Sequence, residues 1–275
     1  MNKKIKLMIS LVASICAVSA QAQTTETESE QATKLAKQLA NPVASLISVP
    51  FQYNYDSNLG PNDDGTKSYL NIQPVTPFSI SEDWNLIVRT IVPVIDLEDV
   101  TVKGDSASGL GDITQSFFFS PKAPVDGWIL ALGPVGLYPS ASEDLLGGGK
   151  WGVGPTGLAL QQKGHWTYGV LWNHLWSVAG DSDRNNINAT FIQPGISYIS
   201  KTKSTVTLNT ESTYDWENEE WSVPINLMLS QLMRLGPQIV QFTVGARYWV
   251  ESPEAGPEDW GVRAQVILLF PEHKK

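Results

Sequence analysis

Residues 260–270 read Trp260-Gly261-Val262-Arg263-Ala264-Gln265-Val266-Ile267-Leu268-Leu269-Phe270. Every second residue from Trp260 to Phe270 is apolar, while Gly261, Arg263, Gln265 and Ile267 form a mixed set between them. Side chains on an extended strand point to opposite faces in turn, so this stretch is a strand with one oily and one mixed face. The preceding stretch repeats the pattern: Val240, Phe242, Val244, Ala246, Tyr248 and Val250 alternate with Gln241, Thr243, Gly245, Arg247 and Trp249. Far upstream, Trp84, Leu86, Val88, Thr90, Val92 and Val94 alternate with Asn85, Ile87, Arg89, Ile91 and Pro93. Working outward, the period of two predicts strands over 46–55, 68–78, 84–95, 111–119, 128–138, 151–161, 166–178, 188–199, 204–214, 221–233, 239–250 and 260–270. Each is about ten residues long, the length a tilted strand needs to cross a bilayer, whereas strands of soluble sheets average nearer five or six. An all-β, antiparallel up-and-down transmembrane barrel of about twelve strands follows.

The connections agree. Long ones fall near Asp56–Thr66, Asp96–Gly109, Ser140–Gly149, Gly180–Ile187, Asp215–Glu220 and Glu251–Asp259, and short ones fall between them, as in outer-membrane barrels. The net charge of −9 is unevenly spread. Asp63, Asp64, Asp96, Glu98, Asp99, Glu217, Glu219 and Glu220 crowd the long loops, while Lys122, Lys163, Lys201, Lys203 and Arg234 mark the short turns. Trp84, Trp128, Trp151, Trp166, Trp176, Trp216, Trp221, Trp249 and Trp260 lie near strand ends, where an amphipathic ring suits the headgroup zone. Pro74, Pro77, Pro93, Pro134, Pro155, Pro194 and Pro224 fall inside predicted strands; lacking an N–H, they predict bulges or shifted boundaries.

At the N-terminus, Lys3, Lys4 and Lys6 precede an apolar run from Leu7 to Val18 and the small residues Ala20 and Ala22. That is the pattern of a secretory signal peptide over 1–22, too short to span a bilayer as a helix. Its Cys16 is the chain's only cysteine, so no disulfide is expected after cleavage. Residues 23–44 form a polar periplasmic segment. Within it Glu28 to Leu39 read as a helix stopped at Asn41-Pro42, serving as a tether, a plug in the barrel mouth or a frayed leader. Residues 45–275 form the barrel. With 42% hydrophobic residues and a mean hydropathy of −0.12, the composition also allows a periplasmic β-sandwich.

Several stretches resemble a known family: Leu39-Ala40-Asn41-Pro42-Val43-Ala44-Ser45-Leu46, Gly60-Pro61-Asn62-Asp63-Asp64-Gly65, Gly109-Leu110-Gly111-Asp112-Ile113-Thr114-Gln115-Ser116, Asn209-Thr210-Glu211-Ser212-Thr213-Tyr214-Asp215-Trp216 and Leu268-Leu269-Phe270-Pro271. Together they resemble outer-membrane transporter-like barrels, some carrying the label neuromedin U-like, related to barrels associated with the meta-pathway of phenol degradation. The resemblance implies a Gram-negative outer-membrane location and passage of small solutes, apolar or aromatic ones among them. It implies no catalytic residue and no cofactor. The last strand also resembles the signal read by the barrel-assembly machinery, although Pro271–Lys275 extend past Phe270.

If the apolar alternates face lipid, Arg89, Glu211, Arg247 and Arg263 face the lumen with Gln73, Gln115, Gln193, Gln241 and Gln265, and Asp112 joins them at its strand's start. On the lipid face each charge would cost roughly 2–4 kcal/mol near the midplane. Two roles stay open for the charged set: a bracing network or a constriction that selects solutes. A structural or adhesive barrel with a closed lumen is the alternative to a channel. An enzyme, such as a lipid hydrolase, is not expected: only His165, His174 and His273 offer a base, and no G-x-S-x-G elbow exists. No metal cluster is expected. The partners expected are outer-membrane lipid and lipopolysaccharide, and the acidic chain offers no patch for nucleic acid.

Overall fold

The computed structural model describes residues 26–270. The expected signal peptide and the Pro271–Lys275 tail lie outside the described residues. A helix, α1 (Glu26–Leu39), comes first and ends just before Asn41-Pro42, as the proline requires. Twelve strands follow in one antiparallel meander. They are β1 (Ile47–Leu59), β2 (Gly65–Ile72 and Val75–Ser79), β3 (Trp84–Glu98), β4 (Ser106–Leu110 and Ile113–Pro121), β5 (Trp128–Tyr138) and β6 (Lys150–Lys163). The remaining six are β7 (Trp166–Gly180), β8 (Asn188–Ile199), β9 (Ser204–Thr210 and Ser212–Asp215), β10 (Glu220–Leu235), β11 (Gln238–Glu251) and β12 (Asp259–Phe270). Each pairs with its sequence neighbours, and β12 returns to β1, with Ile47 opposite Phe270 and Tyr55 opposite Val262. A closed barrel has no edge, so every ladder is shared with a neighbour.

The expected strands are all present, several of them extended at the long-loop end. The proline expectation is met at Pro74, Pro93 and Pro224 and fails at the others. Among the residues named, Pro224 sits at a register shift, between Val223 and Pro224, and Pro93 lies opposite another, its carbonyl accepting from the Gly111 amide. Pro194 pairs in register with Val170, and Pro134 faces Pro155 across β5 and β6. Each ladder has other bonds to spare, and an isolated missing N–H is absorbed without inserting a residue. At Gln73-Pro74 the strand is interrupted, yet pairing resumes in the same register. The one break that does shift is at Gly111-Asp112: between Val94↔Leu110 and Ile91↔Thr114, β4 advances one residue more than β3.

The outward face is apolar: Leu130, Leu132, Val153, Ile192, Ile196, Val206, Leu208, Leu227 and Leu229 are all exposed. Exposed tryptophans ring both ends. Trp84, Trp128 and Trp166 stand at the short-turn end, and Trp151, Trp176, Trp216, Trp221 and Trp260 at the long-loop end. Neighbouring rings brace them, Tyr198 at 4.8 Å from Trp166 and Tyr248 at 5.0 Å from Trp260. Leu132, 61% exposed in the middle of β5, tests the lipid assignment. Leu132→Arg is expected to cost roughly 2–4 kcal/mol in urea unfolding from lipid vesicles. A loss near zero would mean that water, not hydrocarbon, lies against this face.

Candidate functional site

The inward face is divided along the barrel axis. At the short-turn end it is apolar, which the sequence reading did not anticipate. Ile87, Phe118, Ala131, Leu158, Leu160 and Leu171 point inward from five adjacent strands and seat Val43, which is 4% exposed. Ala44 and Leu46 pack against Ile239, Ile267 and Leu269 of β11 and β12, with Leu35, Leu39 and Leu232 alongside. The segment from Thr33 to Leu46 is therefore a plug touching both sides of the barrel. Three polar contacts also tie it down: Gln162 Nε2 donates to the Lys37 carbonyl at 2.7 Å, Lys203 Nζ to Thr33 Oγ1 at 2.6 Å and Asn85 Nδ2 to Ser45 Oγ at 2.8 Å. Of the three roles open to this segment, the structure selects the plug.

Beyond the plug the lumen holds a cavity of about 530 Å³. Leu39, Ala40 and Pro42 of the plug floor it, while Arg89, Glu211 and Arg263 project from the wall. Arg263 makes a bidentate pair with Glu211, both bonds at 2.7 Å, and its Nε donates to Asn54 Oδ1 at 2.7 Å. Two fork-to-fork bonds tie β9 to β12, which share no ladder, in one fixed geometry. Glu211 lies at the interruption of β9, but pairing with β10 keeps one register on either side.

Nearer the long loops, Arg247 forms a second buried pair with Asp56 at 3.1 Å and donates to the Tyr69 hydroxyl at 2.5 Å. Trp249 Nε1 donates to the other Asp56 oxygen at 3.1 Å. Trp249 is therefore not part of the outer girdle: it shares the inward parity of Arg247, whose guanidinium lies 5.0 Å from its ring. A β-carbon at Gly261 would run into the Asp56 carboxylate, so only glycine leaves this pair its room.

Arg89 behaves differently from the other two arginines. Its Nη2 donates to Gln73 Oε1 at 2.7 Å, and among the described residues no carboxylate forms an ion pair with it. Asp112 does not join the arginines. Its carboxylate accepts from the Ala141 and Gly148 amides at 3.1 and 2.7 Å and so pins the 139–149 connection. That connection dips into the mouth, where Leu146 packs with Leu97 and Ala107, and Arg184 braces it by donating to the Asp144 and Gly147 carbonyls. Gln115 also departs from expectation. The extra residue at Gly111-Asp112 reverses the parity of β4, leaving Ser116 and Phe118 inward and Gln115 outward. There Gln115 Nε2 donates to Thr90 at 2.9 Å and its Oε1 accepts from Tyr138 at 3.1 Å.

Two histidines lie among the described residues. His165 Nδ1 is 2.7 Å from the Ile199 carbonyl in a short turn. His174 is on the outward face, its Nδ1 2.7 Å from Thr190 Oγ1, which also accepts from Trp216 Nε1 at 2.8 Å.

A closed twelve-strand antiparallel barrel with an apolar, tryptophan-ringed exterior and a polar interior is the fold of an outer-membrane β-barrel. Solved structures share it. A crystal structure of an outer membrane channel from Pseudomonas putida F1 aligns at a TM-score of 0.64 with 13% identity, covering 82% of this chain and 96% of that one. The NanC porin aligns at 0.51 with 10% identity, covering 82% of this chain and all of the porin. At these identities the likeness is one of fold. No protein-family model and no curated protein matches the sequence.

Proposed function

We propose that this chain is exported to the bacterial outer membrane and passes small solutes through its lumen, with the N-terminal segment as the gate. The observation carrying this reading is the combination of a hydrogen-bonding cavity of about 530 Å³ with a closure made by a segment outside the strands. A barrel serving only as a support needs neither. Its interior would be better filled, because unfilled polar space forgoes packing. Removing the plug breaks no strand ladder, so the wall survives its displacement. The apolar and aromatic solutes that the family resemblance implies would find Phe191, Leu171 and Leu175 on one side of the cavity and amides on the other. Nothing in this reading calls on catalysis, and lipase assays on the purified protein check that.

The alternative, a barrel closed throughout its life, is favoured by the burial of Val43, Ala44 and Leu46 in the plug. Liposome swelling separates the two. Vesicles carrying a chain that lacks residues 33–44 should swell in small neutral solutes several times faster than vesicles carrying the full chain. If the shortened barrel folds, as heat-modifiable migration reports, and stays impermeable, the channel reading falls.

A further inference from the structure

We propose that the cavity above the plug binds a small organic carboxylate, with Arg89 as its anchor. The inference refines the solute class of the channel reading and rests on it. The whole chain is acidic at −9, yet the inward charges lean the other way. Lys67, Arg89, Arg247 and Arg263 point inward from the strands, and Lys150 is buried on the inward side of β6. Facing them are Asp56 and Glu211, each already paired with one arginine, Asp112, occupied by loop amides, and, at the outer rim, Asp215, which also accepts from loop amides, beside Glu220. Around the cavity itself Arg89 and Arg263 face Glu211 as the one carboxylate among the described lining residues. The acids responsible for the net charge stand on the outer loops, in water, where salt screens them. Inside, low-dielectric walls focus the excess positive potential on the lumen.

Within that field Arg89 is the group in position to hold a ligand. It lines the cavity, half-buried, and Gln73 uses one of its five N–H donors. Gln73 holds the guanidinium plane without neutralising it, which is what separates Arg89 from Arg247 and Arg263. The planar fork left over matches the two oxygens of a carboxylate. Asn71, Gln265 and Asn173 also line the cavity and supply donors and acceptors for hydroxyl groups on the same solute. A cavity of about 530 Å³ is of the size that encloses a small organic molecule.

The test uses the full mature chain, refolded in detergent, and ligand-observed saturation-transfer NMR with lactate and its neutral amide, lactamide. The expected result is a lactate signal roughly tenfold stronger than that of lactamide. Arg89→Gln should reduce the lactate signal by a similar factor, and Arg89→Lys, which keeps the charge but not the fork, should recover part of it. The proposal is overturned if acid and amide bind alike, if neither binds, or if Arg89→Gln binds lactate as the unmodified chain does. Because the acid-versus-amide comparison needs no variant, a folding defect in Arg89→Gln leaves it decisive. Swelling reports separately on passage. Lactate binding without solute passage removes the channel and keeps the site, whereas passage without lactate binding removes the site alone.

Discussion

Arg263→Ala should lower the stability of the folded barrel by about 3–5 kcal/mol, read as an earlier urea midpoint in vesicles and a lower temperature for heat-modified migration. Arg263 is 3% exposed, and its removal strands Glu211 and the fully buried Asn54 at once. A carboxylate left in the lumen wall without its guanidinium must either stay charged in a poor solvent or take up a proton, and both cost free energy. The double variant Arg263→Met with Glu211→Gln should return much of the loss, because replacing both partners by neutral groups removes the stranded charge. A single-variant loss below about 1 kcal/mol would show that water reaches Glu211 freely and that the pair does not brace the wall.

The second large effect concerns the gate. Val43→Asp should raise mean conductance in planar bilayers at least roughly tenfold, the shift that about 1.4 kcal/mol of differential stability produces. Val43 is enclosed by Ile87, Phe118, Leu158, Leu160 and Leu171, none of which can pair with a carboxylate. The closed state then bears the full cost of burying a charge, several kcal/mol, whereas a displaced plug leaves the aspartate in water. Val43→Ala should give a smaller increase in the same direction, since it removes contact without adding charge. Unchanged conductance in Val43→Asp, with the barrel folded, would leave the plug a fixed wall.

Much of the barrel can be read from local pattern. The alternation in 84–94, 240–250 and 260–270 places strands and their faces because side-chain direction is dictated within each strand, whatever it pairs with. Arg89, Arg247 and Arg263 fall inward on that logic alone. Gln115 does not, because its face depends on one extra residue at Gly111-Asp112, and a bulge is a property of two paired strands rather than of either one. Trp249 carried its own warning: the alternation that turns Arg247 inward turns Trp249 inward too, whereas nearness to a strand end points to the girdle. The apolar seat of the plug left a fainter trace in Phe117-Phe118-Phe119 and in Leu158-Ala159-Leu160, where both faces are oily.

What no local pattern contains is who meets whom across the lumen. Asp56 and Arg247 are separated by 191 residues, and Glu211 and Arg263 by 52. The first pair forms only once β12 closes on β1 in its particular register, and the second depends on the registers of the three ladders between β9 and β12. The sequence by itself determined the strands, their order and, away from the Gly111-Asp112 bulge, most of their faces, since each is set by the direction of neighbouring side chains along one chain. Closure decided the rest: which arginines are neutralised, which one is left facing an open cavity, and that residues 33–46 fill one end of it. Those are distances through space, which the spacing along the chain does not encode.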